Sequence, residues 1–394
     1  MEVWLVMAND LTYTQISTVL NDIVAQATNT RGIGNIPANQ FTSVGTTLLK
    51  MGYDPVMQAI SQVLGRTVFV IRPYERKFRG LDVSKQRFGG YTRKLQVSDI
   101  DFENEKTYEI KNGESVDMYK INSPKPLQTN FYGQVVFNTH ITHYTYQLDA
   151  AFSGPDELAR FWTMINQNAH DVIEQGHESL ARAVIGNIIA GRVILNSDSC
   201  IHMLTEYNAA TGLNLSDSEV MFPSNYPAFV KWAYSRVATI SSMFTERTTK
   251  YQTNITGYNT PKHTPYSKQR VYLYAPEQFS ISARVLADTF HPNFLRYASN
   301  ETVNFWQNPD TPDGVDITPV YLNTEGELEV GSETNVRKIF GLIMDEEAAS
   351  YTIVNEWMST TPLNSAGGYW NTYFHYTDRY INDFMEKSVV LLLD

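Results

Sequence analysis

The sequence holds one cysteine, Cys200, in 394 residues. A disulfide framework within the chain is therefore excluded, and the composition is the one expected of a protein kept in a reducing cell interior. Buried thiols are ordinarily inert, so Cys200 is expected to pack as a small hydrophobe. No run approaches the eighteen uninterrupted apolar residues that a membrane span requires. The start, MEVWLVMANDLTYTQ, shows no basic leader, so no secretory signal is expected. Nucleotide and hydrolase signatures are missing as well: there is no Gly-x-Gly-x-x-Gly, no phosphate loop ending in Gly-Lys-Ser/Thr, and no Gly-x-Ser-x-Gly elbow. Bases are scarce, 31 against 42 acids for a net charge of −11. That balance argues against a dedicated nucleic-acid binder, which needs a basic face to displace counterions from phosphates.

The histidines form no convincing metal site. His140 and His143 in HITH sit three apart in an expected strand, which puts their rings on opposite faces, and both read as partly exposed strand residues. In HDVIEQGHE, His170 and Glu174 can meet at i, i+4, with His177 and Glu178 close by. The zinc pattern His-Glu-x-x-His is not completed, so this stretch reads as a solvated helix face. The acids of MDEEAASY, Asp345, Glu346 and Glu347, read as the start of a helix.

What is present is an ordinary folded composition, 42% hydrophobic and 19% charged, long enough for two or three lobes. Helical spacing marks LTYTQISTVLNDIVAQATN and DPVMQAISQVLG, and the intervening TRGIGNIPANQFTSVG reads as an extended link. RTVFVIRPYERKFRG (66–80) reads as a strand, Gly89-Gly90 as a hairpin turn, and 131–152 as strand throughout. From Pro155 to Arg192 apolar residues recur at steps of three and four for ten turns, which predicts one helix roughly 57 Å long, with Gly191 as its stop. Further on, 227–244 and 276–290 read as helices, and 270–275, 316–322 and 340–345 as strands.

Charge is unevenly placed. Between residues 72 and 94 lie Arg72, Arg76, Lys77, Arg79, Lys85, Arg87, Arg93 and Lys94 against two acids; then Asp99, Asp101, Glu103, Glu105, Glu109, Glu114 and Asp117 face two lysines. A long hairpin of this composition has little core of its own and needs something to lie on. The favoured reading is contact between subunits, with opposite charges setting the register. A self-neutralising hairpin and a nucleic-acid arm are the alternatives.

The chain ends in GGYWNTYFHYTDRYINDFMEKSVVLLLD, an aromatic stretch followed by five consecutive aliphatic residues. Together with the order of parts, this ending resembles the major capsid proteins of tailed, short-tailed bacteriophages with the Hong Kong 97-type fold. The resemblance implies an α+β fold with an N-terminal arm (1–64), an extended E-loop hairpin (65–127), a peripheral domain (128–225) around spine helix 155–192, and a mainly axial lobe (226–394). It also implies a terminal strand buried inside a sheet, self-assembly into pentamers and hexamers of an icosahedral shell around double-stranded DNA touched weakly and non-specifically, and no catalysis or cofactor. Scaffolding, portal and decoration proteins would be further partners, and the virion the location, after assembly in the host cytoplasm. Some members join Lys to Asn between subunits; Lys85 and Lys94 lie on the expected loop, without an evident Asn partner. Two rival readings are an encapsulin-type shell and a metal-dependent hydrolase using His170 and Glu174.

Overall fold

The computed structural model describes residues 13–29, 32–34, 36–64, 74–82, 91–100, 109–195, 198–284 and 300–394. In chain order the helices are α1 (Tyr13–Thr28), α2 (Phe41–Lys50), α3 (Tyr53–Leu64), α4 (Thr145–Ala151), α5 (Pro155–Leu195), α6 (Met203–Thr211), α7 (Asp217–Val220), α8 (Tyr226–Thr245) and α9 (Ala275–Arg284). The strands are β1 (Thr92–Val97), β2 (Pro126–Phe131), β3 (Gln134–Tyr144), β4 (Cys200–His202), β5 (Gln269–Tyr274), β6 (Asn300–Val303) and β7 (Val315–Ile317), then β8 (Val320–Leu322), β9 (Leu328–Val330), β10 (Thr334–Val336), β11 (Ile339–Asp345), β12 (Ala349–Thr360), β13 (Tyr369–Asn382) and β14 (Ser388–Leu392).

Helix α5 is the axis of the molecule. It opens with Pro155, Asp156 and Glu157, residues suited to a helix's positive end. Its 41 residues rise about 60 Å at 1.5 Å each. Three cores are strung along the fold. At the N-terminal end of α5, the helices α1–α4 bury Leu20, Ile23, Phe41, Ile60 and Phe152 around Ile165 and Trp370. The Trp370 indole N–H donates to Asp54 at 3.0 Å, fixing α3 to β13. Along its middle, α5 supports the antiparallel sheet β12-β13-β3. Its C-terminal half packs Ile185, Ile188 and Ile189 against Leu342, Val390 and Leu392 of the five-stranded sheet β4-β14-β11-β5-β6. The third core lies on the other face of that sheet, where Val389 and Leu391 meet Phe229, Val237 and Phe244 of α8.

The terminal strand is interior, as the resemblance implied. β14 runs antiparallel to β11 and parallel to β4, and all five of its residues are buried. Alternate side chains feed two different cores, which is why the run is continuously apolar instead of alternating. Each Val or Leu so buried contributes roughly 1.5–3 kcal/mol before entropy is counted.

Several expectations need correction. The link before α3 is not extended throughout: α2 forms because Phe41, Gly45 and Leu48 share one buried face. A Cβ on Gly45 would stand 3.0 Å from the Phe152 ring, so the glycine that looked like a loop signal serves close packing. The strand read over 131–152 stops at Tyr144, where Leu148, Ala151 and Phe152 turn to helical spacing in and after α4. Gly191 does not stop α5; a Cβ there would come within 2.6 Å of the Phe384 ring. The 316–322 strand is two strands, β7 and β8, in different sheets, divided before Val320 by Pro319.

The acids of 345–347 start no helix. Asp345 ends β11 and accepts the Glu347 N–H at 2.8 Å, closing a tight turn into β12. Of the strand expected over 66–80, residues 66–73 lie outside the described residues, as do Gly89-Gly90 and residues 285–290 of the helix expected over 276–290. Residues 74–80 form no strand, because Phe78 turns the chain at φ 62° and gives its N–H to Glu301 at 2.7 Å. A different pairing is present: β1 runs antiparallel to β2, joining 92–97 to 126–131 across a long connection.

One buried cation joins these parts. Arg192 of α5 is fully buried, and its guanidinium donates to Ser388 Oγ (2.7 Å), Thr253 Oγ1 (3.0 Å), and the carbonyls of Phe384 (2.8 Å) and Glu386 (2.9 Å). Burial pulls its pKa down to about 9 against the opposing field of Asp383, so it stays charged at neutral pH. Arg192→Met leaves two buried carbonyls without their donors and should lower stability by at least about 2 kcal/mol. Urea denaturation of the soluble subunit measures this, and an unchanged midpoint would contradict it.

Candidate functional site

The described parts of the charged region are tied to the body at two anchors. At its base, Arg76 is buried, with Nη2 2.6 Å from Asp82 and Nε 3.6 Å from Glu174 of α5, and its guanidinium lies 4.8 Å from the centre of the Tyr351 ring. Burial raises the Asp82 carboxyl above its ordinary range, with Arg76 opposing. The Lys77 N–H donates to Glu178 at 3.1 Å while its side chain stays exposed. Arg79 has only a loose, exposed partner, Glu75 at 3.5 Å.

The second anchor is Lys94 on β1. Its ammonium lies 2.6 Å from Glu386, 2.9 Å from Asp383 and 3.0 Å from Glu347, and Lys262 shares Glu386 at 2.9 Å. Burial works against the Lys94 charge, but Asp383 and Glu386 outweigh it and hold the pKa above the ordinary lysine range. Arg93, on the opposite face of β1, is exposed and donates to the Tyr91 hydroxyl at 2.6 Å. Asp99 meets Arg247 at 2.6 Å, which holds its carboxyl below the usual range, and its N–H donates to the Asn259 carbonyl at 2.7 Å. Arg72, Lys85, Arg87, Asp101, Glu103 and Glu105 lie outside the described residues.

Among the described residues, no cation of 72–94 pairs with an acid of 99–117. Arg76, Lys94 and Asp99 reach charged residues of the body instead. Beyond these anchors every residue from 109 to 126 is exposed. That stretch includes Ile110 (43%), Val116 (54%), Met118 (81%), Tyr119 (81%) and Ile121 (89%). Charge drew attention to this region, but its unpaired apolar side chains are the more telling feature. The alternation in VDMYKI (116–121) was the available signal, a strand-like pattern with no strand partner.

The middle of α5 is not a solvated face. His177 is 1% exposed, and its Nδ1 lies 2.9 Å from Asp378, which also accepts the Tyr351 hydroxyl at 2.6 Å. Glu178 is buried as well, taking two bonds from Arg182, at 3.0 and 2.5 Å, and one from the Tyr74 hydroxyl. Burial and Glu178 push the Tyr74 phenol up to about 12. Asp378, Tyr351 and Tyr74 stand about 100 to 200 positions away in the chain, so no local pattern could announce them, whereas the i, i+4 spacing of Glu178 and Arg182 was legible. His140 and His143 do face opposite ways: His140 is exposed and stacks on Tyr373, whereas His143 is 2% exposed and packs against Phe161. The partial exposure expected of both histidines therefore does not hold for His143. Glu174 is engaged by Arg76, and no group of three or more metal-binding side chains occurs among the described residues.

The sequence matches the family described as Phi29-like phage major capsid protein over residues 18–391. The chain belongs to that family. Among solved structures, the capsid structure of Staphylococcus phage Andhra aligns with a TM-score of 0.54 at 12% identity, covering 83% of this chain and 87% of that one. A chain from the structure of the head fiber and inner core protein gp22 of native bacteriophage P68 aligns with the same TM-score, identity and coverage. A search of curated proteins returned no match. The chain is thus a shell-forming phage major capsid protein with a Hong Kong 97-like α+β fold, a structural component of the virion. The encapsulin reading is set aside by this family. Among the described residues, no helix is long and apolar enough to cross a membrane.

The buried His143 makes subunit stability depend on pH. Burial pushes its pKa from an ordinary 6.5 down to about 4. Between those values the unfolded chain binds a proton that the folded chain refuses, so stability falls as pH drops from 6.5 towards 4, by up to about 3 kcal/mol. His143→Phe should flatten that slope. Urea midpoints of the soluble subunit at pH 7.5 and 5 test it, and equal slopes in the two proteins would contradict it.

Proposed function

We propose that the hairpin is the element by which one capsid subunit grips the next, and that its tip, residues 109–126, lies on a neighbouring copy in the shell. The observation that carries this is the uninterrupted exposure of that stretch, with five large apolar side chains in water. Exposed apolar surface of that kind marks an interaction site. The anchors at Arg76 and Lys94, with the Asp99–Arg247 pair beside them, set the direction in which the hairpin leaves the body, and among the described residues of this set Lys77, Arg79 and Arg93 are left outward for intersubunit contact. Residues 1–64 then serve as the N-terminal arm, 65–127 as the E-loop, 128–225 as a peripheral domain on α5, and 226–394 as a mainly axial lobe whose strands return to the peripheral sheet.

In this reading the subunits form pentamers and hexamers of an icosahedral shell, assembled in the host cytoplasm around double-stranded DNA, with portal, scaffolding and decoration proteins as further partners. The role is structural and not catalytic. A net charge of −11 suits a lining that touches packaged DNA weakly. Lys94, held by three carboxylates, serves as an anchor and is not available for cross-linking to Asn.

Reversal of Arg76 would destabilise the hairpin base itself, so the tip is the cleaner place to test the reading. The triple variant Met118→Ser, Tyr119→Ser, Ile121→Ser should fold with stability within about 0.5 kcal/mol of the parent, since the side chains are exposed, yet fail to form shells visible by electron microscopy. Normal shells from this variant would overturn the assignment, as would loss of the folded subunit.

A further inference from the structure

Asn112 and Gly113 are the one Asn-Gly pair in the sequence. They are the two central residues of a turn that the Glu114 N–H closes on the Lys111 carbonyl at 3.0 Å. Gly113 has φ 92°, the positive value that the second central position of a type II turn requires and that glycine takes without steric cost. Both residues are exposed, and a Cβ built on Gly113 would meet nothing within 4 Å. A second tie across the turn is also local, from the Lys111 N–H to the Glu114 carboxylate at 3.3 Å. The turn stands on its own bonds, near the start of the exposed stretch 109–126.

This arrangement permits a reaction of the chain with itself. The side-chain carbonyl carbon of an asparagine is within reach of the next residue's backbone nitrogen, provided that the backbone can rotate to bring the two together. A Cβ on the next residue crowds that approach, and hydrogen bonds to the asparagine side chain hold it away. Gly113 has no Cβ, and exposed turns tied only by local bonds are the segments that open most readily. Other turn asparagines lack the combination. Asn364 precedes Ser365, and its side-chain oxygen accepts the N–H groups of Ala366 and Gly367 at 3.1 and 3.2 Å. Asn323 precedes Thr324 and accepts those of Glu325 and Glu327 at 3.0 and 2.9 Å. Among the described residues, the Asn112 side chain engages no such partner.

We propose that Asn112 is a site of spontaneous deamidation, open in the free subunit and closed in the shell. The Gly113 nitrogen attacks Asn112 Cγ. The new C–N bond closes a cyclic imide, the Cγ–Nδ2 bond breaks, and the amide group leaves as ammonia with the proton of the Gly113 N–H. Water then opens the ring. Opening at the side-chain carbonyl gives aspartate, and opening at the backbone carbonyl gives isoaspartate, in which the main chain runs through Cβ. Water is the sole co-reactant. Residues 109–126 hold three acids and three bases, so either product turns a charge-balanced segment negative, and isoaspartate also lengthens the main chain just before the alternating 116–121. Closure in the shell rests on the reading that this tip lies on a neighbouring copy, which would hold the turn's backbone in place.

The test holds full-length soluble subunit and assembled shells at the same mildly alkaline pH and samples both by peptide mass spectrometry, with an isoaspartyl methyltransferase assay on the same peptides. In the subunit, the peptide carrying Asn112 should gain the mass of amide-to-acid conversion and become methyl-accepting. Asn122, also exposed but followed by Ser123, is the control within the same stretch; its conversion should lag by at least about tenfold, or some 1.4 kcal/mol of barrier. In shells, conversion at Asn112 should be slower than in the subunit by about tenfold or more, the factor set by some 1.4 kcal/mol of contact that must open first. Asn112→Gln, whose longer side chain closes a larger ring far more slowly, should assemble as the parent does and show no conversion in either state. An unconverted Asn112 in the free subunit overturns this inference alone, as does conversion no faster than at Asn122. Equal conversion in subunit and shell overturns the closure; if the Met118, Tyr119, Ile121 triple serine variant also forms normal shells, the tip reading falls with it.

Discussion

A polypeptide stretch exposed along its whole length has little to hold it in place, and residues 109–126 are such a stretch. Ordering a residue's backbone costs roughly 1–2 kcal/mol, and the same subunit offers only a few polar contacts in return, such as the Lys125 N–H to Ser98 and the local bonds at Glu114 and Asp117. The rest of the structure can be read as the apparatus that delivers this segment to a surface outside the subunit. Helix α5 provides the rigid axis, the Arg76 and Lys94 clusters fix the hairpin's departure, and the buried cores keep both anchors in register. Because the anchors join residues far apart in the chain, the hairpin's direction depends on the whole fold.

The C-terminal end illustrates that coupling. Strand β14 supplies side chains to two cores at once, and the turn before it brings Asp383 and Glu386 to Lys94 and the carbonyls of 384 and 386 to Arg192. Residues 383–392 therefore finish a sheet, hold a buried cation and anchor β1 through Lys94. Nearby, Lys387 extends its ammonium to the last carbonyls of α8, including Glu246 at 2.6 Å, where a cation is favoured by the helix dipole. Burial lowers the Lys387 pKa to about 8 even so. An aliphatic ending that looked odd in the sequence is thus joined to nearly every part of the molecule.

What could be read from the sequence follows from the range of the interactions involved. Periodicity is local, so α5, α8, β5, β11 and β14 were visible: each carries its own repeating apolar pattern. Helix α2 was hidden by Ser, Thr and Gly, though Phe41, Gly45 and Leu48 already held the helical spacing. Gly191 and Asp345 misled because close packing against Phe384 and a tight turn at β11–β12 use the same residue types as helix ends. The buried His177–Asp378–Tyr351 set could not be seen, since its members meet only after the sheet is laid on α5. For the charged region, Arg76, Lys94 and Asp99 have partners in the body that no local pattern could show, and the exposed apolar side chains of 109–126, not the charges, carry the proposal.

The most direct measurement is amide hydrogen exchange of residues 109–126 in the soluble subunit and in the assembled shell. If a neighbouring copy supplies the order this segment lacks, its amides exchange at near-unprotected rates in the subunit and become strongly protected on assembly, while β14 is protected in both. Equal exchange of 109–126 in the two states, fast or slow, would contradict the account.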